Sequence, residues 1–221
     1  MKRVFALLTL CLPAVLFASG PGGGGGSAPM ASRSPHDQAV DFYNSAEHRL
    51  EGLTKMHDEM KASTDPQKVE KLKAKINKGL ENAAADFERA TRNDPNLYQA
   101  YSELGFTYRK LGKYTESLDA YNKALELQPG YTPAIEYRAE AMLGLNQLDE
   151  VKSAYMTLFN ADRPKADILM VSMKSWVAER KTNPNGLDAA KLDDFSKWVS
   201  SRDTVAGQTS SVATASTFRS W

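Results

Sequence analysis

The sequence predicts an all-α protein built from stacked pairs of antiparallel helices. Along most of the chain, apolar residues recur at alternating steps of three and four, as they do on one face of a helix. Pro and Gly fall between these runs, where helices end. A pattern of large and small side chains also returns after about 34 residues. Repetition at this interval is typical of a solenoid, in which each helical pair packs on its neighbours.

The repeating pattern is clearest between Tyr98 and Tyr131. One apolar face carries Tyr101, Leu104, Gly105 and Tyr108, and after a turn at Leu111-Gly112-Lys113 a second carries Tyr114, Ser117, Leu118, Tyr121, Ala124 and Leu125. Pro129-Gly130 ends the second helix. Because Gly105 and Ala124 add little bulk, the two helix backbones are expected to approach closely there.

This stretch resembles one tetratricopeptide repeat. The signature of that family places an aromatic residue, Leu-Gly and Tyr on the first helix, then Ala, an aromatic residue, Ala and Pro on the second. Tyr101 stands where the family usually has Trp, and Ser117 where it has Ala. The resemblance implies a right-handed α-solenoid. It also implies that the first helices of the pairs, the A helices, line a concave groove that holds an extended peptide or a partner helix.

Periodicity and composition divide residues 36–221 into four segments. Residues 36–93 form an elongated N-terminal helical hairpin, with Asp65 as the N-cap of its second helix. Residues 94–165 hold two repeats of the tetratricopeptide type, the second more degenerate. Residues 166–205 form a third, similar hairpin that ends in a capping helix. Residues 206–221 are rich in Ser, Thr and Ala and are expected to be disordered.

The N-terminus reads as a bacterial signal peptide over residues 1–20. Lys2 and Arg3 precede an apolar run at residues 4–18, which small residues follow. Residues 21–35 then form a Gly-rich flexible linker. The signal predicts a periplasmic or secreted protein, which would contact the membrane only if the signal stayed uncleaved as an anchor.

Charge and cysteine content exclude several functions of the mature chain. Cleavage after residue 20 would reduce Lys and Arg from 28 to 26, against 27 Asp and Glu. The mature chain would therefore lack the positive net charge that favours binding to nucleic acid. The one cysteine, Cys11, would leave with the signal, which excludes disulfides, thiol catalysis and cysteine-bound zinc.

The sequence contains no recognisable catalytic or metal-binding motif. His36, His48 and His57 do not pair at the spacing of four that helical zinc sites use. No Ser/His/Asp set is apparent, and the Gly-rich linker lacks the GK[ST] of a phosphate-binding loop. We therefore predict a non-enzymatic protein with no catalytic residue, no metal site and no small-molecule cofactor.

The family resemblance places one set of side chains in the groove. They are Gln99, Ser102, Phe106 and Arg109 from the first repeat, Glu136 and Glu140 from the second, and Met170, Lys174 and Val177 from the third. Chaperone-adaptor members of the family hold a C-terminal carboxylate with Lys and Asn. Because Ser102 and Phe106 occupy those positions here, that specificity is not expected. Arg109 beside Phe106 would suit a mixed apolar and acidic segment.

Two functions follow from these patterns. The first is protein–protein interaction in the bacterial cell envelope, with a peptide or partner protein bound in the groove. The alternative is a structural spacer or envelope-assembly factor that acts through the N-terminal hairpin. The tip of that hairpin carries a series of lysines that includes Lys71, Lys75 and Lys78. A hydrolase or metal protein is a third, weaker hypothesis.

Overall fold

A computed structural model describes the backbone of residues 33–217 and the side chains of residues 33–208. The described part contains eight α-helices and no strand. The helices are α1 (Pro35–Ala62), α2 (Pro66–Asn93), α3 (Tyr98–Lys110), α4 (Tyr114–Leu127), α5 (Thr132–Gly144), α6 (Leu148–Ala161), α7 (Arg163–Thr182) and α8 (Ala189–Thr217). Each helix packs on the next, and α5 also packs on α3 and α7. The predicted all-α helical repeat solenoid is confirmed.

Helices α1 and α2 form the elongated N-terminal hairpin. The Ser34 side chain caps α1 by accepting from the Asp37 amide at 3.1 Å, and the Asp65 side chain caps α2 by accepting from the Gln67 amide at 2.9 Å. Their facing stripes bury apolar side chains, mainly Ala39, Ala46, Leu53, Leu72, Leu80, Ala83, Phe87 and Ala90. Ala84 of α2 is buried as well.

The two central pairs repeat with one register. Helix α5 begins at Thr132 and α3 at Tyr98, an interval of 34 residues, and α6 follows α4 at the same interval. The turns within the two pairs also correspond. Gly112 (φ 75°) is matched by Asn146 (φ 58°), and Asn is among the few other residues that adopt this left-handed conformation readily. Residues 132–165 therefore fold as a repeat, although their sequence departs from the family pattern.

The contact between α3 and α4 centres on Gly105. A Cβ atom added there would lie 2.8 Å from the ring of Tyr121, which is completely buried. The Ser117 hydroxyl donates to the Gly105 carbonyl oxygen at 2.7 Å. Ser117 thus replaces the small Ala of the family with a side chain of similar size that adds a hydrogen bond between the helices.

Helix α8 covers the C-terminal end of the core. Phe195 and Val199 are buried, and the Phe195 ring meets Trp176 of α7 edge to face at a centroid distance of 5.5 Å. Trp198 meets Tyr155 of α6 in the same way at 5.6 Å. Helix α8 therefore covers apolar side chains of both α6 and α7.

The prediction that residues 206–221 are disordered is wrong for residues 206–217, because α8 continues to Thr217. Ala206 is buried, and its carbonyl oxygen accepts from Arg163 Nη2 at 2.7 Å. Ser, Thr and Ala do not stop a helix as Pro does, and residues 206–217 contain no Pro and one Gly. The predicted signal peptide and nearly all of the linker lie outside the described residues. Within the described part, no helix is long and apolar enough to cross a membrane.

Candidate functional site

The A helices pack one on the next, α3 on α5 and α5 on α7. Helix α1 packs on α2, which in turn packs on α3. An aromatic contact connects α3 to α5, where the Phe106 and Tyr137 rings lie at a centroid distance of 5.6 Å. An ion pair of 3.2 Å between Lys165 and Glu136 joins α7 to α5. We call the surface formed by α1, α3, α5 and α7 the A-helix face.

Phe106 and Arg109 are engaged within the protein. Arg109 forms an ion pair of 2.6 Å with Glu140, and both side chains are largely buried. The Arg109 guanidinium also lies 5.5 Å from the Phe106 ring centroid and 5.7 Å from that of Tyr137. Because Glu140 already neutralises Arg109, this cation has little to offer an acidic ligand.

Glu136 and Glu140 lie on α5 between their partners on α3 and α7. The Ser172 hydroxyl of α7 donates to Glu140. The Glu136 side chain is 1% exposed, and its Oε1 is buried without a hydrogen-bond partner in the described structure. Burial and the neighbouring Glu140 raise the pKa of Glu136 to about 7, although Lys165 opposes the increase.

The other predicted groove residues differ in accessibility. Gln99 is half-buried, whereas Ser102 is completely buried and its hydroxyl has no hydrogen-bond partner among the described residues. Met170 and Val177 belong to the buried C-terminal core, which contradicts an open position for their side chains. The same core cluster includes Phe195 and Val199 of α8. Lys174 is exposed and forms an ion pair of 2.6 Å with Asp203 of α8.

The structure adds a second pair of acids that the groove prediction missed. Glu47 of α1 and Glu103 of α3 are half-buried and interact electrostatically. Glu47 Oε1 is buried without a hydrogen-bond partner, and no described residue forms a hydrogen bond or ion pair with the Glu103 carboxylate. Burial and the other carboxylate raise the pKa of Glu103, while burial and Glu51 raise that of Glu47.

Three tyrosines accompany this pair of acids. Tyr43 lies on α1, and Tyr131 precedes α5. The charges of Glu47 and Glu103 contribute, after burial, to a raised pKa of both tyrosines. Tyr98 of α3 meets Tyr131 edge to face at a centroid distance of 5.0 Å. We call Tyr43, Glu47, Tyr98, Glu103 and Tyr131 the tyrosine–glutamate cluster. The repeat interval could not reveal it, because α1 lies outside the 34-residue register.

The described residues hold no cluster of His, Cys, Asp and Glu that could bind a metal ion. An open cavity of about 610 Å³ lies elsewhere, between α4, α5 and α6. Its lining includes Ile135 and Met142, with the highly exposed Asp149 paired to Lys152. Arg138 also lines the cavity, where its Nη1 donates to Asn122 Oδ1 at 2.9 Å while its Nε is buried without a hydrogen-bond partner among the described residues.

Comparison with known proteins agrees with the repeat found in the fold. The tetratricopeptide repeat family model matches residues 98–131. One similar solved structure is the complex of the TPR2B domain of yeast Sti1 with pHsp70. It is 18% identical, covers 56% of this chain and 84% of that chain, and has a TM-score of 0.32. Another is the MamA RS-1 ArsTM double mutant, at 16% identity, 76% and 96% coverage and a TM-score of 0.39. The family match identifies residues 98–131 as a tetratricopeptide repeat, and the next pair of helices keeps the same 34-residue register.

Proposed function

We propose that this chain is a non-enzymatic protein–protein interaction module that binds a peptide or partner protein on its A-helix face. One observation carries the proposal: this face gathers carboxylates and a hydroxyl that are withdrawn from water without hydrogen-bond partners. Glu47, Ser102 and Glu136 each contribute such an atom. Unpaired buried polar groups destabilise a protein. Because the Glu47 side chain is only half-buried, a ligand that donates to its Oε1 would remove that part of the penalty.

The second part of the proposal is location: the module acts in the bacterial cell envelope after export. The charged, apolar and small-residue order of residues 2–20 supports it. We expect the intact mass of the protein from a periplasmic fraction to correspond to an N-terminus near Pro21. A mass that includes Met1 would contradict cleavage.

Site-specific photocrosslinking tests the A-helix face directly. A photoreactive residue at position 99, where Gln99 is half-buried on α3, should form a conjugate with a partner in cells that produce the protein. The matched control is position 115, where Thr115 is exposed on α4. Conjugates at position 115 but not at 99 would assign binding to another face and contradict the proposal.

The crosslinking experiment also separates the two functions that the sequence left open. A spacer that acts through the N-terminal hairpin would instead form conjugates near its tip. Lys71 and Lys75 are exposed there, and photoreactive residues at these positions extend the comparison. Conjugates at the tip alone would favour the spacer.

A further inference from the structure

Four carboxylates and two cations of the A-helix face interact electrostatically. The carboxylates are those of Glu47, Glu103, Glu136 and Glu140, and the cations are Arg109 and Lys165. Arg109 is paired with Glu140, and Lys165 with Glu136. Glu47 and Glu103 form no ion pair among the described residues. They lie close enough together that the Glu47 carboxylate raises the pKa of Glu103.

The protein itself shows which group fits such a place. The Lys165 ammonium lies 3.2 Å from Glu136 Oε2 and 5.3 Å from the centroid of the Tyr137 ring. A carboxylate and a tyrosine ring thus hold one ammonium group through charge and a cation–π contact. The tyrosine–glutamate cluster offers the same two kinds of group, with two carboxylates and three tyrosines.

An unpartnered atom within the cluster also favours a ligand that donates hydrogen bonds: Glu47 Oε1 is buried and has no hydrogen-bond partner among the described residues. Glu136 is 1% exposed with an unpartnered Oε1, and its partner Lys165 lies near enough to Glu103 to lower the pKa of that carboxyl group. Ammonium and guanidinium groups are donors only, so they complement carboxylate oxygens.

We infer that the tyrosine–glutamate cluster binds a lysine or arginine side chain from a basic segment of a partner protein. The inference rests on the proposed function and names the chemistry of the ligand. It also replaces the mixed apolar and acidic segment expected from Arg109, because the structure pairs that guanidinium with Glu140.

Three pools of fluorescent peptides test the preference. The peptides share one length and one neutral background, and their fixed positions hold Lys or Arg in the first pool, Asp or Glu in the second and Ser in the third. Fluorescence anisotropy at pH 8 should show the basic pool binding the full chain at least about tenfold more tightly than the acidic pool. Spermidine serves as a small cation without a peptide.

Matched substitutions locate the bound cation. Glu103→Gln and Glu47→Gln keep the shape of the side chain and remove its charge. Each should therefore weaken binding of the basic pool by roughly tenfold or more. Glu116→Gln on α4, where Glu116 is exposed, should leave binding unchanged. Equal losses in all three variants would indicate nonspecific attraction and overturn the inference.

Thermal unfolding of the free protein supplies a second readout. A carboxyl group whose pKa is raised by folding binds its proton more tightly in the native state, so its contribution to stability falls as pH rises above the unfolded value. Glu103→Gln should therefore raise the melting temperature at pH 8, and this gain should shrink at pH 5. A lower melting temperature for the variant at pH 8 would mean that Glu103 already has a stabilising partner, and would contradict an empty cation site.

The outcomes separate this inference from the proposed function. Preference for the acidic or Ser pool, or spermidine binding as tightly as the basic pool, would overturn the inferred ligand. A conjugate at position 99 would still support binding on the A-helix face. Absence of both peptide binding and a conjugate at position 99 would overturn the two together.

Discussion

Deletion of residues 188–221 is expected to destabilise the protein strongly and to promote its association. Helix α8 buries Phe195 and Val199 against the C-terminal core and covers Trp176 of α7. Full burial of one such side chain contributes about 1.5–3 kcal/mol. Their loss is therefore large beside a typical unfolding free energy of roughly 5–15 kcal/mol. The newly exposed apolar surface should favour contacts between molecules.

Sedimentation velocity and thermal unfolding measure both effects of the deletion. A chain that ends at Gln208 is the control, because it keeps Phe195, Trp198 and Val199. We expect this control to remain close to the full chain in both measurements. If the chain lacking α8 stayed monomeric and equally stable, the capping role of α8 would be refuted.

Gly105→Leu is expected to destabilise the repeat by roughly 1–3 kcal/mol or more, because it overpacks the contact between α3 and α4. The first added atom would already lie 2.8 Å from the ring of Tyr121, and a fully buried ring has little room to move. Displacement of α3 would also disturb the hydrogen bond from Ser117 to the Gly105 carbonyl oxygen.

The same substitution at Gly52 provides a matched control. Gly52 is an exposed residue inside α1, and no described neighbour comes within 4 Å of the position of an added Cβ. Gly52→Leu should therefore gain helix propensity, up to about 1 kcal/mol. Urea unfolding of the two variants should move the midpoints in opposite directions. A Gly105→Leu protein as stable as the Gly52→Leu protein would show that α3 and α4 do not approach closely at Gly105.

The sequence by itself determined the helices and their stacking order. Local signals define each helix, as Asp65 and Pro66 do at the start of α2. The small residues Gly105 and Ala124 then predicted that the two helices of the repeat approach closely. The structure agrees with this close approach, because a Cβ atom added to Gly105 would lie 2.8 Å from the Tyr121 ring.

Only the tertiary structure decided which of the predicted groove side chains remain available. The register placed Arg109 and Met170 on the A helices, but it could not show that Glu140 pairs with Arg109 or that the C-terminal core encloses Met170. It also could not bring Glu47 to Glu103, since α1 lies outside the repeat. The physical reason is range: hydrogen bonds and periodicity within a helix are local, whereas burial and charge at the A-helix face depend on helices that are distant in the chain.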